Sequence, residues 1–235
     1  MNDKTLIIIG TYNEATNIVE LINQLQSLDV NIDILVIDDN SPDGTAQAVK
    51  ELQNRYNNIN IIERSGKLGL GTALIAGFKE ALRCNYKKII TMDADLSHQP
   101  KYIPDMIKTL NKYNLGIGSR YVKHGGTSGW PFRRRFLSRY GNLYAKTILH
   151  VPINDLTAGF MGIDTEHLKK VDLDNIQGVG YAFIQEIKYK LYKKGAQVKE
   201  IPIIFQERTI GQSKISSNII KEGIIMPWKL KFSND

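Results

Sequence analysis

One cysteine, Cys84, stands in a chain of 235 residues. That excludes an internal disulfide and a cysteine-based zinc site, and it fits a reducing compartment. Long apolar runs are missing as well. The N-terminal run Leu6 to Ile9 is far too short for a signal peptide, and no stretch approaches the roughly 20 apolar residues that cross a bilayer. A chain of this kind would meet a membrane only at its surface. Repeats, low-complexity segments and a GK[ST] phosphate loop are also absent. KLGLGTA, Lys67 to Ala73, holds Gly69-Leu70-Gly71, but it follows the third apolar run. A dinucleotide fingerprint belongs after the first.

What is present is ordinary in bulk. Hydrophobic residues make up 42% and charged residues 23%, enough for one domain or a compact pair with a full core. The net charge of +7 suggests a polyanionic partner: nucleic acid, a phosphorylated substrate or an anionic membrane. Charge alone favours the plainer reading, lysines that keep the protein soluble.

The first half alternates. Short β-rich runs at Thr5–Ile9, Ile32–Ile37, Ile59–Ile62, Lys88–Met92 and Leu115–Gly118 are separated by helical patterns. Ile18, Leu21, Ile22, Leu25 and Leu28 share one helical face, as do Ile103, Met106, Ile107 and Leu110. This predicts an α/β fold, a mostly parallel sheet wrapped by helices. In the second half, KHGGTSGWP (Lys123 to Pro131) reads as a mobile loop. A helix over Phe132–Leu149 follows, then DLTAGF (Asp155–Phe160), a helix near Phe183–Lys194, a strand over Gln197–Phe205 and a loop, ERTIGQSK (Glu207–Lys214).

Ligands of parallel sheets bind beyond the carboxyl ends of the strands. Three polar clusters fall there: Thr11-Tyr12-Asn13-Glu14, Asp38-Asp39-Asn40-Ser41 and Asp93-Ala94-Asp95. In VIDDNSPDGT the Pro42-Asp43-Gly44 turn, with Asp43 or Thr45 as a helix cap, accounts for residues 41–45 but not for two adjacent aspartates. An acceptor there suits the N–H edge of a base or a ribose hydroxyl. Asp93 and Asp95 repel each other unless something positive lies between them; a divalent cation shared with substrate phosphates would do so. His98 is a hydrogen-bonding residue on this reading, because a hard metal prefers oxygen. The cations of a phosphate site follow: Arg120 after the fifth strand, Arg133-Arg134-Arg135 at a helix start, and Arg208 and Lys214 in the last loop. Arg133 and Arg135 read as a solvated face. Arg134 shares a face with Ser138, four residues on.

Together, GTYNE, DDNSPDGT, KLGLGTA, MDADLSHQP, GSRY, DLTAGF and ERTIGQSK, in this order, resemble the polyprenol (dolichol) phosphate mannose synthases, GT-A-fold enzymes of glycosyltransferase family two. The resemblance implies inverting transfer of mannose from GDP-mannose to a polyprenyl or dolichyl monophosphate, with Mg²⁺ or Mn²⁺ as cofactor. It places Gly10, Tyr12, Glu14, Ile37 and Asp39 around the guanosine, and Asp93, Ala94 and Asp95 at the sugar-nucleotide, with Asp93, Asp95 and Ser97 toward the metal. Arg120, Arg208 and Lys214 would contact the nucleotide phosphates, which makes Asp95, Arg120 and Arg208 the catalytic set. Arg134 and Ser138 would receive the lipid phosphate. Gly10 stands where the family usually has proline, Ser97 where some members have a glutamine ligand, and Met161 where many relatives carry arginine.

The nearest rival is transfer of glucose from UDP-glucose to the same lipid. A basic nucleic-acid-binding module is disfavoured, since the tyrosines are scattered and the acidic rim repels a polyanion. The chain divides into a catalytic domain over residues 1–215 and an amphipathic tail over 216–235, whose apolar strip of Ile219, Ile220, Gly223, Ile224 and Met226 beside Trp228 and Lys221, Lys229 and Lys231 reads either as an interfacial anchor or as residues packed on the sheet. The expected location is cytoplasmic, peripheral on the cytosolic face of a membrane. A separate membrane-anchoring subunit is compatible with that, and so is a longer native chain.

Overall fold

A computed structural model describes residues 4–178, 180–207 and 217–233. The chain opens with β1 (Thr5–Thr11), α1 (Ala15–Gln26), β2 (Ile32–Asp38), α2 (Thr45–Gln53), β3 (Ile59–Glu63), α3 (Leu70–Arg83) and β4 (Lys88–Asp93). It continues with α4 (Ile103–Leu110), β5 (Leu115–Ser119), β6 (Gly126–Ser128), α5 (Phe132–Leu149), β7 (Met161–Asp164) and α6 (Thr165–Leu168). The last elements are α7 (Tyr181–Lys193), β8 (Val198–Pro202), β9 (Ile204–Gln206) and α8 (Ser217–Phe232).

A seven-stranded sheet in the order β3-β2-β1-β4-β7-β5-β8 forms the centre. Every neighbouring pair is parallel except those of β7, which runs antiparallel between β4 and β5. The reason the early strands read as unbroken apolar runs is burial on both faces. Alternate side chains enter opposite layers. Ile7 and Ile9 join Ile34 and Val36 against α1, α2 and α4, whereas Leu6 and Ile8 join Leu35 and Ile37 against α3, α7 and the later helices. The expected helical stripe on α1 is fully buried at Ile18, Leu21, Ile22 and Leu25.

Two expectations change. The segment read as a mobile loop contains β6, which pairs in parallel with β9, and it buries Trp130. The single strand over 197–205 is two strands, because Ile203 turns into the core between β8 and β9 while its N–H bonds to the Ser119 carbonyl. Met161, which stands where many relatives carry arginine, is fully buried in β7.

The tail is divided by face. Met226 and Leu230 of α8 are buried in the layer shared with α5 and α7, whereas Ile224, Ile225, Trp228 and Phe232 are exposed. Ile219, Ile220 and Lys221 fall outside the residues whose side chains are described. Among the described residues no helix is long and apolar enough to cross a membrane.

Candidate active site

The parallel register brings Gly10, Ile37 and Asp93, three of the residues expected at the donor, into one row. Gly10 lies opposite Ile37 on one side and Asp93 on the other. A side chain at Gly10 would come within 2.9 Å of Leu70 at the start of α3, so the row sits close beneath that helix. Tyr12 follows at the strand tip, its ring covered by the Lys67 ammonium at 4.2 Å.

The adjacent aspartates have different partners. Asp38 is buried and accepts from the Thr11 hydroxyl at 2.8 Å and from the Ser41 hydroxyl and N–H at 2.6 and 2.8 Å. Asp39 accepts from the N–H groups of Leu68 and Gly69 at 3.0 and 2.9 Å and from Arg64 Nε at 2.6 Å. Asp43 caps α2 through the Thr45 N–H and also holds the first N–H of α1, at Ala15. Burial alone would raise the Asp43 carboxyl, but these hydrogen bonds lower it below the usual range. The motif thus ties the loops after β1, β2 and β3 into one shelf. Asn13 and Asn40 turn within it at positive φ, which asparagine tolerates.

Asp93 ends β4, and Asp95 lies buried beyond it, accepting from the Ser97 N–H at 3.1 Å. Between Asp95 and Ser97, Leu96 is held at φ +62°, a strained conformation for a leucine. His98 has the hydrogen-bonding role expected of it. Its Nδ1 accepts from the Asp93 N–H at 3.0 Å, and its ring lies between Phe160 and Phe205. Burial pushes its pKa down against the pull of Asp93 and Asp95. It orients the Asp93 backbone as a neutral ring.

The donors around Asp95 fit a hard cation. Among the described residues Ser97 Oγ, Gln99 Oε1 and Glu207 Oε2 are buried without a hydrogen-bond partner. Gln99 and Glu207 line, with Asp95, a cavity of about 330 Å³. No cluster of three or more His, Cys, Asp or Glu side chains forms among the described residues. Two carboxylates plus neutral oxygens leave coordination positions for substrate phosphates, the habit of Mg²⁺.

The phosphate side is assembled from distant segments. Arg120 is gripped by the fully buried Asp155 through Nε at 2.8 Å and Nη2 at 2.7 Å, and Nη2 also reaches Thr157 Oγ1 at 2.8 Å. Burial raises the Asp155 carboxyl, yet Arg120 and Lys188 more than offset this and hold it low. Trp130 lies between two arginines, Arg120 at 5.4 Å and Arg134 at 3.9 Å from its ring. Arg134 pairs with Glu207 at 2.6 Å, and its Nε has no partner among the described residues. Ser138 accepts from the Tyr121 hydroxyl at 2.6 Å. Arg133 and Arg135 are exposed, as expected. Arg208 and Lys214 lie outside the described residues.

Asp155, Lys188, Trp130, Gln99 and Glu207 were not singled out from sequence. DLTAGF flagged Asp155 as part of a motif without a role. Nothing flagged Lys188, a lysine inside an apolar helix face.

Residues 6–172 match the family profile described as glycosyl transferase family 2. A polyprenol monophosphomannose synthase from Mycolicibacterium smegmatis is 37% identical over 97% of this chain and 88% of its own length. An undecaprenyl-phosphate mannosyltransferase from Micrococcus luteus is 36% identical over 94% and 91%. Among solved structures, glucosyl-3-phosphoglycerate synthase from Mycobacterium tuberculosis with UDP matches 99% of this chain and 82% of its own at TM-score 0.71 and 14% identity. A mannosyltransferase from Pyrobaculum calidifontis with GDP-Man and Mn²⁺ matches 98% and 72% at TM-score 0.62 and 15% identity. The sheet with its one reversed strand is the GT-A architecture of such enzymes. Kinship over nine-tenths of the sequence and a shared topology agree: the protein belongs to glycosyl transferase family 2.

Proposed function

We propose that this enzyme transfers mannose from GDP-mannose to a polyprenyl monophosphate, inverting the anomeric carbon. The observation that carries the reading is spatial. An oxygen-only cation site, a pair of arginines on one tryptophan and an exposed aromatic helix succeed one another from β4 to α5. They match a metal-bound diphosphate, a second phosphate and a lipid. The relatives' names point the same way.

Gly10, Tyr12, Glu14, Ile37 and Asp39 form the guanosine shelf, Asp39 by fixing the 64–69 loop. Asp93 and Asp95, with the neutral oxygens of Ser97 and Gln99, would hold Mg²⁺ or Mn²⁺, which would neutralise charge growing on the departing diphosphate. Arg120 faces the same phosphates, with Arg208 and Lys214 assigned there from the motif. The acceptor phosphate oxygen bonds to the anomeric carbon as the bond to GDP breaks. A monoester phosphate is already anionic near neutral pH, so the residues need to position it and not to deprotonate it. Arg134 and Ser138 do this at the start of α5.

The lipid approaches along α5. Phe132, Phe136, Leu137, Tyr140 and Leu143 are exposed, and α8 continues the surface with Ile224, Ile225, Trp228 and Phe232. Tyr144 fastens the two helices: its hydroxyl accepts from Trp228 Nε1 at 2.7 Å and donates to the Ile224 carbonyl at 3.1 Å. Aromatics flanked by Arg133, Arg135, Arg139, Lys229 and Lys231 suit an anionic bilayer surface. On this reading residues 216–235 are an amphipathic element with one face in the catalytic core and one at the membrane.

The test is a lipid-extraction assay with radiolabelled GDP-mannose or UDP-glucose, a polyprenyl phosphate and either metal. Organic-phase label from GDP-mannose alone is expected. Label from UDP-glucose alone would replace the donor, and none with any donor would reject the lipid acceptor.

A further inference from the structure

Behind Arg120, away from solvent, lies a charge that none of these roles uses. Lys188, in the middle of α7, is fully buried. Lysine is rarely buried completely unless its charge is met. Here its Nζ donates to three backbone carbonyls, Asp155 at 2.9 Å, Leu156 at 3.3 Å and Ala158 at 2.7 Å. Three donors and three acceptors leave the ammonium complete. All three carbonyls belong to a single turn. That turn supplies the carboxylate on Arg120, and Thr157 within it supplies a hydroxyl to the same guanidinium.

We propose that Lys188 is a positioning residue for glycosyl transfer: by gathering the carbonyls of residues 155, 156 and 158, it sets where the Asp155 carboxylate stands. Through Asp155 it sets how the Arg120 guanidinium faces the donor phosphates. The inference rests on Arg120 contacting the donor, as read above. K188M would leave three buried carbonyls without their donor and so cost stability as well, so the positioning role is read from donor affinity in the folded variant. Burial pushes the Lys188 pKa down to about 7, against Asp155 and Glu200 and with Arg120. On its own helix Glu186 and Lys190 pair with each other at 3.3 Å.

The experiment compares wild type, K188M, D155N and the double variant in mannosyl transfer, in GDP binding with Mn²⁺ and in melting temperature. For K188M, kcat/KM for GDP-mannose and affinity for GDP should both fall about tenfold or more, since a small misplacement of a positioned group carries that cost. The KM for lipid acceptor should hold, and the melting temperature should fall without loss of the fold. The double variant should lose no more than D155N alone, because the two residues act along one path. Wild-type kcat/KM in folded K188M, or losses that add, would overturn the proposal. Should wild type bind GDP yet move no mannose, the lipid-mannose reading fails, and weaker GDP binding by K188M still supports the positioning role. Should K188M not fold, wild type decides. Its affinity for GDP-mannose, whose diphosphate diester does not titrate near neutrality, should fall as pH rises through the Lys188 pKa. A flat profile from about pH 6 to about pH 9 would overturn the proposal.

Discussion

The two sides of the active-site rim are built differently. On the donor side, Asp38, Asp39 and Asp43 hold loops together largely through backbone N–H groups and nearby hydroxyls, so the shelf is complete before any ligand binds. On the phosphate and acceptor side, charged side chains meet one another across long stretches of chain: Arg120 with Asp155, Arg134 with Glu207, both arginines on Trp130. Several of those atoms still lack partners among the described residues. On the proposed function, the first side is a scaffold for a flat, neutral base. On the same reading the second keeps two donors, Arg134 Nε and Trp130 Nε1, for an anion.

If that contrast is right, substitutions on the two sides should fail in different currencies. The largest effect is expected at the cation site between them. Asp95→Asn keeps shape and removes charge, so turnover should fall roughly a hundredfold or more with the melting temperature held; full Mg²⁺-dependent activity would contradict the assignment. Arg134→Ala should cut kcat/KM for the lipid acceptor about 10- to 100-fold, the worth of a charged hydrogen bond, and leave GDP binding in place. Steady-state kinetics with the acceptor varied checks this. Replacing Phe136 and Trp228 by serine should weaken sedimentation with anionic vesicles by about tenfold, given the apolar area withdrawn. On the donor side the cost should appear as stability: Asp43→Ala removes the cap shared by α1 and α2 and should lower unfolding free energy by about 1–2 kcal/mol. The smallest effect is a pH dependence. Because the folded Asp155 carboxyl is held below its ordinary value, its contribution is present above the unfolded value near 4 and lost as pH falls through the folded one. The stability gap between wild type and Asp155→Asn, followed by urea unfolding, should therefore narrow on acidification and not widen.

Much of this was legible because strands buried on both faces leave unbroken apolar runs. β1 to β5 differ from the expected spans only by a residue or two at their ends, and α5 spans the residues expected of it. β7 escaped notice, since MGID is short and takes its place in the sheet from β4 and β5. Glycines made 123–131 look loose, yet they allow close approach: a side chain at Gly125 would strike the Ser119 carbonyl at 2.5 Å. The acidic clusters showed where the strand ends lie but not their division of labour, because Asp38 and Asp39 differ only in which loops fold over them. Lys188 was illegible for a related reason. Its partners are main-chain carbonyls, and carbonyls carry no residue code.

The Arg134–Glu207 pair has one more consequence, in the timing of a catalytic cycle. On the acceptor reading of Arg134, a phosphate monoester would compete with the Glu207 carboxylate for the guanidinium, and with nearly two charges it would compete well against one. Once glycosylated, the same phosphate is a diester with a single charge. The carboxylate and the product then compete on nearly equal terms, and Glu207 is tethered where the product is not. On that reading, the ion pair that holds the arginine before the reaction would, after it, help the lipid product leave.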